Sequence, residues 1–118
     1  TTIRQGDSKL FVRTLLPAEH EIVKVGGPGR EFEVNGVNYP PNQSPPGDAG
    51  AWRIEVAPRE DRQQDLFLHV LYVSDGSLSV MPEVELIESD EVIGAEIDGH
   101  VVTFRKGGLA IDSATYEY

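Results

Sequence analysis

The chain has 118 residues, 39% of them hydrophobic and 25% charged, and its 20 acidic side chains against 10 basic ones leave a net charge of −10. That length is one domain's worth, enough to bury about 65% of the unfolded surface in one core, so a single module spanning residues 1–118 is expected. The acidity opposes nucleic acid and anionic membranes as partners, since the few basic residues are scattered along the chain, and a sequence without cysteine excludes disulfides and thiolate chemistry.

No apolar run approaches the roughly 20 residues of a membrane-spanning helix. The opening TTIRQGDSKL has neither the basic nor the apolar region of a signal peptide, although a mature domain would have lost one. Export is left open, with the bacterial periplasm or exterior as candidate compartments.

No window carries a helical stripe, and the chain reads as strand and turn almost throughout. Residues 9–16 form a first strand closed by Pro17, and residues 21–25 continue the ladder up to the turn Gly26-Gly27-Pro28-Gly29. Residues 30–35 follow, with Phe32 and Val34 facing inward between Glu31 and Glu33, and end at an Asn35-Gly36 hairpin turn. The stretch 39–50, YPPNQSPPGDAG, holds four prolines that cannot donate to a ladder. It is expected to be an irregular surface loop and the most mobile internal segment.

Residues 51–75 read as two strands joined by a charged, solvated turn. In the first, Trp52, Ile54 and Val56 alternate with Arg53 and Glu55, the pattern of a half-buried strand. In the second, residues 66–73 are apolar on both faces except for His69, as expected of a strand covered on both sides at the centre of a sheet. Residues 74–77 turn the chain, and residues 82–87 resume a strand in which Val84 and Leu86 alternate with Glu83 and Glu85. Residues 91–97 then meet Asp98-Gly99, a strong two-residue hairpin signal, and residues 100–105 return antiparallel. Lys106, Gly107 and Gly108 make the next turn, and a final strand over 113–118 places Ala114, Tyr116 and Tyr118 on one face.

Eight or nine short strands without a crossover helix describe an all-β fold, an antiparallel two-sheet β-sandwich, with a jelly roll or closed barrel as the alternatives. The alternation predicts a core of Trp52, Ile54, Val56, Leu66, Leu68, Val70, Val102 and Phe104.

Four strings, KVGGPGREFEVNGVNYPP, GAWRIEVAP, DLFLHVLYVSD and VIGAEIDGHVVTFRKGG, resemble the C-terminal β-sandwich region of the heparinase II/III-like polysaccharide lyases, over residues 10–118. The resemblance implies a parent with a large α/α-toroid followed by β-sheet domains, and β-elimination of uronic-acid glycans at their boundary. The Asn or His that neutralises the uronate in that family, and its Tyr/His base and acid, belong to parts not represented here, so no catalytic residue transfers. What the resemblance implies for this chain is a non-catalytic C-terminal domain, without cofactor or metal. It would pack against and stabilise the neighbouring domains of its parent.

The residues themselves offer few reacting groups. His20 sits in a Glu19-His20-Glu21 run, where a metal site would need ligands from elsewhere, and a solvated turn is the simpler reading. His69, within a strand, is either a general base or a hydrogen-bonded core residue, the latter favoured. His100 occupies a hairpin and is expected in solvent. Glu83 with Glu85, and Glu88 with Asp90 and Glu91, could suggest glycosidase carboxylates or a calcium loop, but a spacing of two on a strand puts both on one outward face and ESDE lacks the ordered ligands of a calcium motif.

The glycines at 26, 27 and 29 precede a strand and not the helix a phosphate loop needs. Asn42-Gln43-Ser44 is a formal glycosylation acceptor compromised by the proline that follows. No nucleophile elbow is present. One binding role is open to the aromatics, since sugar-binding modules stack pyranose rings on exposed Trp or Tyr. Tyr39, Trp52 and Tyr72 are the carbohydrate-binding candidates, with Trp52 read first as core and Tyr39 as the best exposed.

Overall fold

The structure, a computed structural model, describes residues 1–43, 50–107 and 110–117, with positions 110–114 and 116–117 described as backbone only. No helix occurs among the described residues. Eleven strands do: β1 (Thr2–Gln5), β2 (Ser8–Leu16), β3 (His20–Gly26), β4 (Glu33–Val34), β5 (Val37–Asn38), β6 (Trp52–Pro58), β7 (Leu68–Asp75), β8 (Val84–Glu88), β9 (Val92–Ile97), β10 (His100–Gly107) and β11 (Ala110–Glu117). Every pairing is antiparallel. The fold is all-β and antiparallel as expected, consistent with a β-sandwich, with eleven strands in four sheets among the described residues in place of eight or nine strands in two.

The described residues fall into two compact units, one of Thr1–Ala18 with Leu66–Tyr118 and the other of Glu19–Asp65. The first holds a three-stranded sheet ordered β1-β2-β7 and a four-stranded sheet ordered β11-β10-β9-β8. The four-stranded sheet is the best packed part of the molecule. Ile93 is 1% exposed, Val84 and Ala95 are buried, and Phe11 of β2 completes the buried apolar set.

Register explains that burial. Val84 pairs with Ile97, Leu86 with Ala95, Val102 with Ala95 and Phe104 with Ile93, so apolar positions of three strands share one face. Gly94 lies on the opposite face against β10. A Cβ there would run into the Val102 carbonyl oxygen and lie 2.8 Å from the Thr103 Cα, so only glycine permits the strands to approach this closely. The β9–β10 turn is the expected one, with Asp98 at φ 52° and Gly99 at 77°, the left-handed pair of a type I′ hairpin.

In the three-stranded sheet Lys9 is buried, which is unusual for an ammonium. Its Nζ donates to the Leu78 carbonyl oxygen at 2.5 Å, pinning the segment that follows β7. Asp75 closes the same turn, its Oδ1 accepting from the Ser77 N–H at 2.8 Å and from the Ser77 hydroxyl.

Several expectations change. The strand β1 was not expected; Gly6-Asp7 is the two-residue turn that folds it onto β2, with Gln5 opposite Ser8. The two strands of residues 51–75 do not pair with each other: β6 pairs with β3 in the second unit, and β7 with β2 in the first. Nine residues, 59–67, separate β6 from β7, too many for a tight hairpin. Nor is β7 a central strand. Among the described residues it bonds only β2, and its residues alternate between partly covered and exposed, with Leu71 61% and Val73 76% exposed.

The predicted core list is likewise displaced. None of its eight members is among the buried residues: Trp52 and Ile54 are exposed, and the other six are half-buried. The strand expected over 30–35 shrinks to β4; Phe32, in the turn just before it, is half-buried, and Val34 is exposed. Lys106 and Gly107, expected in a turn, belong to β10, which continues through Gly107. Half of the 39–50 loop (44–49), Gly108 of that turn, and the face of Ala114, Tyr116 and Tyr118 lie outside the described residues or side chains.

Candidate functional site

The second unit is built on the β3–β6 ribbon, whose register sets Gly26 opposite Trp52, Lys24 opposite Ile54 and Ile22 opposite Val56. One ribbon face therefore presents Ile22, Lys24, Trp52, Ile54 and Val56 together. Trp52 is 50% exposed and Ile22 and Ile54 are exposed beside it. The indole is nevertheless held in place. The Lys24 ammonium sits 3.9 Å from the ring centroid, a cation–π contact, and Gly27 lies against the ring so closely that a Cβ would fall 2.7–2.8 Å from its outer carbons. Gly27 N–H donates to the Ala51 carbonyl at 2.8 Å, closing the end of the ladder.

The Gly26-Gly27-Pro28-Gly29 turn thus serves the tryptophan. Gly26 and Gly27 take φ of 130° and 93°, values that β-carbon-bearing residues rarely adopt.

A charged cluster fixes the β4–β5 hairpin to β6. Arg30 donates from Nε and Nη2 to the two Glu33 carboxylate oxygens at 2.5 and 2.8 Å, a bidentate pair. Arg53 donates to the Glu33 carbonyl oxygen and, at 2.6 Å, to the Glu55 carboxylate. The Arg30 hydrogen bonds lower the Glu33 carboxyl below its ordinary range, while Glu33 raises the Arg30 guanidinium. Tyr39, 63% exposed, follows this hairpin, its N–H donating to the Phe32 carbonyl at 3.2 Å. Of the three aromatic candidates, Tyr39 and Trp52 therefore belong to one unit and expose their rings. Tyr72 belongs to the other unit and is half-buried on β7.

The titratable candidates stand on separate elements. His20 lies on β3, His69 on β7 and His100 on β10. His69 is exposed, not in the core, with Nδ1 at 3.1 Å from the Thr14 hydroxyl and its ring 6.3 Å from that of Phe67.

The acidic stretch at 88–91 is a turn stapled by a lysine. Lys106 Nζ donates to the Ser89 carbonyl at 2.8 Å and to the Glu88 carboxylate at 3.3 Å, while the Ser89 hydroxyl accepts from the N–H groups of Glu91 and Val92. A shallow hollow of about 420 Å³ beside it is lined by Asp90, Glu91, Arg105 and Lys106, two charges of each sign. A second, of about 260 Å³, lies between Arg13 and the 80–84 segment. No group of three metal-ligating side chains converges among the described residues.

Sequence reasoning missed the Lys24–Trp52 contact. The signal was available in the antiparallel offset, since Lys24 and Trp52 fall on the same ribbon face once Gly26 is set opposite Trp52. No protein-family model and no curated protein matches the chain.

Proposed function

We propose that this chain is a non-catalytic β-sandwich module of a heparinase II/III-like polysaccharide lyase, whose work is to pack against and stabilise neighbouring domains. The observation that carries the reading is its apolar surface. Among the described residues thirteen large apolar or aromatic side chains are exposed, against four buried hydrophobic ones. They are not scattered singly: Ile22, Trp52 and Ile54 share a ribbon face, and Ile3, Leu71 and Val73 share a sheet face. Contiguous exposed apolar groups mark contact surfaces. The acidity adds that a uronate polymer is gripped elsewhere in the parent.

Two experiments test the proposal. Deleting residues 1–118 from the longer polypeptide should lower the melting temperature of the remainder, and the 118 residues alone should give no rise in unsaturated-uronate absorbance with heparin-like, chondroitin-like or alginate polymers. A rise abolished by His69→Gln, or a coding sequence that starts at Thr1, contradicts it.

A second reading, a carbohydrate-binding module, is favoured by the exposed rings of Trp52 and Tyr39. Trp52 is the sole tryptophan, so its fluorescence during sugar titration reports binding directly. A saturable change, together with a heat of sugar binding in titration calorimetry that is lost in Trp52→Ala, would establish this reading over the first.

A further inference from the structure

We propose that β7 is a self-association edge, pairing antiparallel with β7 of a second copy of this chain about a two-fold axis. Within its sheet β7 bonds β2 alone, so one row of its backbone N–H and C=O groups is turned outward. Sheet edges of this kind are ordinarily blunted by proline, lysine, a bulge or short length. Here the strand is eight residues long, LHVLYVSD, without proline or lysine, and the register irregularity of this pair falls at Thr14/Leu16 on β2. The other described edges of the first unit differ: β1 has four residues and carries Arg4, β8 carries Glu85 and Glu88, and β11 carries Asp112 and Glu117 with its register irregularity at Asp112.

The outward face of β7 also selects its partner. Its residues are His69, Leu71, Val73 and Asp75, all exposed. A two-fold axis normal to the sheet keeps outward residues opposite outward residues, and with Tyr72 opposite Tyr72 of the partner copy the register is self-complementary. Leu71 then faces Val73, and His69 faces Asp75, each twice. The only two titratable side chains on this face are thus matched, acceptor to donor, in a chain whose net charge of −10 otherwise discourages self-contact.

Local geometry leaves both groups usable. The Thr14 hydroxyl lies 3.1 Å from Nδ1 of His69; in the tautomer in which that hydroxyl donates to Nδ1, the ring proton is on Nε2 and can be donated across the pair. An ionised Asp75 can accept about four hydrogen bonds, more than the Ser77 and Leu78 groups that hold it. The product is a continuous six-stranded sheet, and Ile3, Leu10 and Val12 extend its apolar face on either side.

Sedimentation velocity of the 118-residue chain over a concentration series tests this, with the far-UV spectrum of each variant checking the fold. The expected result is a monomer–dimer equilibrium. Leu71→Glu should weaken it about 10-fold or more, because a carboxylate then replaces the leucine at the contact with Val73. Adding Val73→Lys to Leu71→Glu should restore the affinity to within about 3-fold, since the two new charges face each other in this register alone. A chain that stays monomeric throughout, a dimer indifferent to Leu71→Glu, or a double variant no stronger than the single one overturns the proposal.

Discussion

The four-stranded sheet and the β3–β6 ribbon begin from the same sequence pattern and end in different environments. Both alternate apolar with charged residues, Val84-Glu85-Leu86 in one and Trp52-Arg53-Ile54-Glu55-Val56 in the other. In the sheet Ile93 is sealed, whereas in the ribbon Trp52 is half in solvent. The difference is the size of the sheet, four strands against two. Ile93 has a paired strand on each side, β8 and β10. Trp52 sits on a two-stranded ribbon, the smallest sheet and one of marginal stability by itself. Alternation says which way a side chain points; burial needs something for it to point at.

The largest expected effect breaks this contrast at its core. Ile93→Ala should cost about 2–5 kcal/mol, by the lost transfer energy and the cavity left behind, whereas Ile54→Ala, already exposed, should cost under about 1 kcal/mol. Urea denaturation followed by far-UV circular dichroism compares the two. Next come the glycines. Gly94→Ala drives a methyl into the backbone of β10 and should cost about 1–3 kcal/mol. Gly27→Ala meets only the end of the Trp52 side chain, which can swing away, leaving the strain of its positive φ at about 1 kcal/mol. A shift in tryptophan emission should accompany Gly27→Ala and be missing from Gly94→Ala.

A smaller effect sharpens the ribbon side. Lys24→Ala removes the ammonium from the indole face and should cost about 0.5–1 kcal/mol, with a change in tryptophan quenching. Lys24→Met, which keeps the stem and drops the charge, should reproduce the quenching change with less destabilisation.

The last effect is one of pH. Asp75 is held below the ordinary carboxyl range, first by the Ser77 hydroxyl and then by the backbone of Ser77, and Glu33 is lowered by Arg30. A carboxyl lowered on folding stabilises fully above its unfolded value, near 3.9 to 4.3. That stability is lost as pH falls through the folded value. Denaturation midpoints should therefore hold down to about pH 4 and decline below it, and Asp75→Asn should flatten part of the decline. A midpoint that rises on acidification would contradict the assignment.

Local chemistry was the legible part of the fold. Asp98-Gly99 and Asn35-Gly36 announced their turns because left-handed backbone has few residue solutions, and both positions show the positive φ. The strand β1 was illegible because Thr2-Ile3-Arg4-Gln5 has a single apolar residue and no alternation to detect. The strand β7 misled for the opposite reason. Residues 66–73 look covered on both faces, yet in this chain one face and one edge are open. For the candidate site, the exposed aromatics were identifiable by type, but the exposure of Trp52 was not, since its strand carries the pattern of a half-buried one. What a lone sequence lacks is the count of neighbouring strands.

Residue-resolved hydrogen exchange under native conditions, at concentrations where the chain is monomeric, tests the contrast between sheet and ribbon most directly. Amides of β9 and of its ladder with β10 should exchange only through the largest opening events, while those of the β3–β6 ribbon should open at a distinctly lower free energy. Equal protection in the two regions, or slower exchange in the ribbon, would contradict the account.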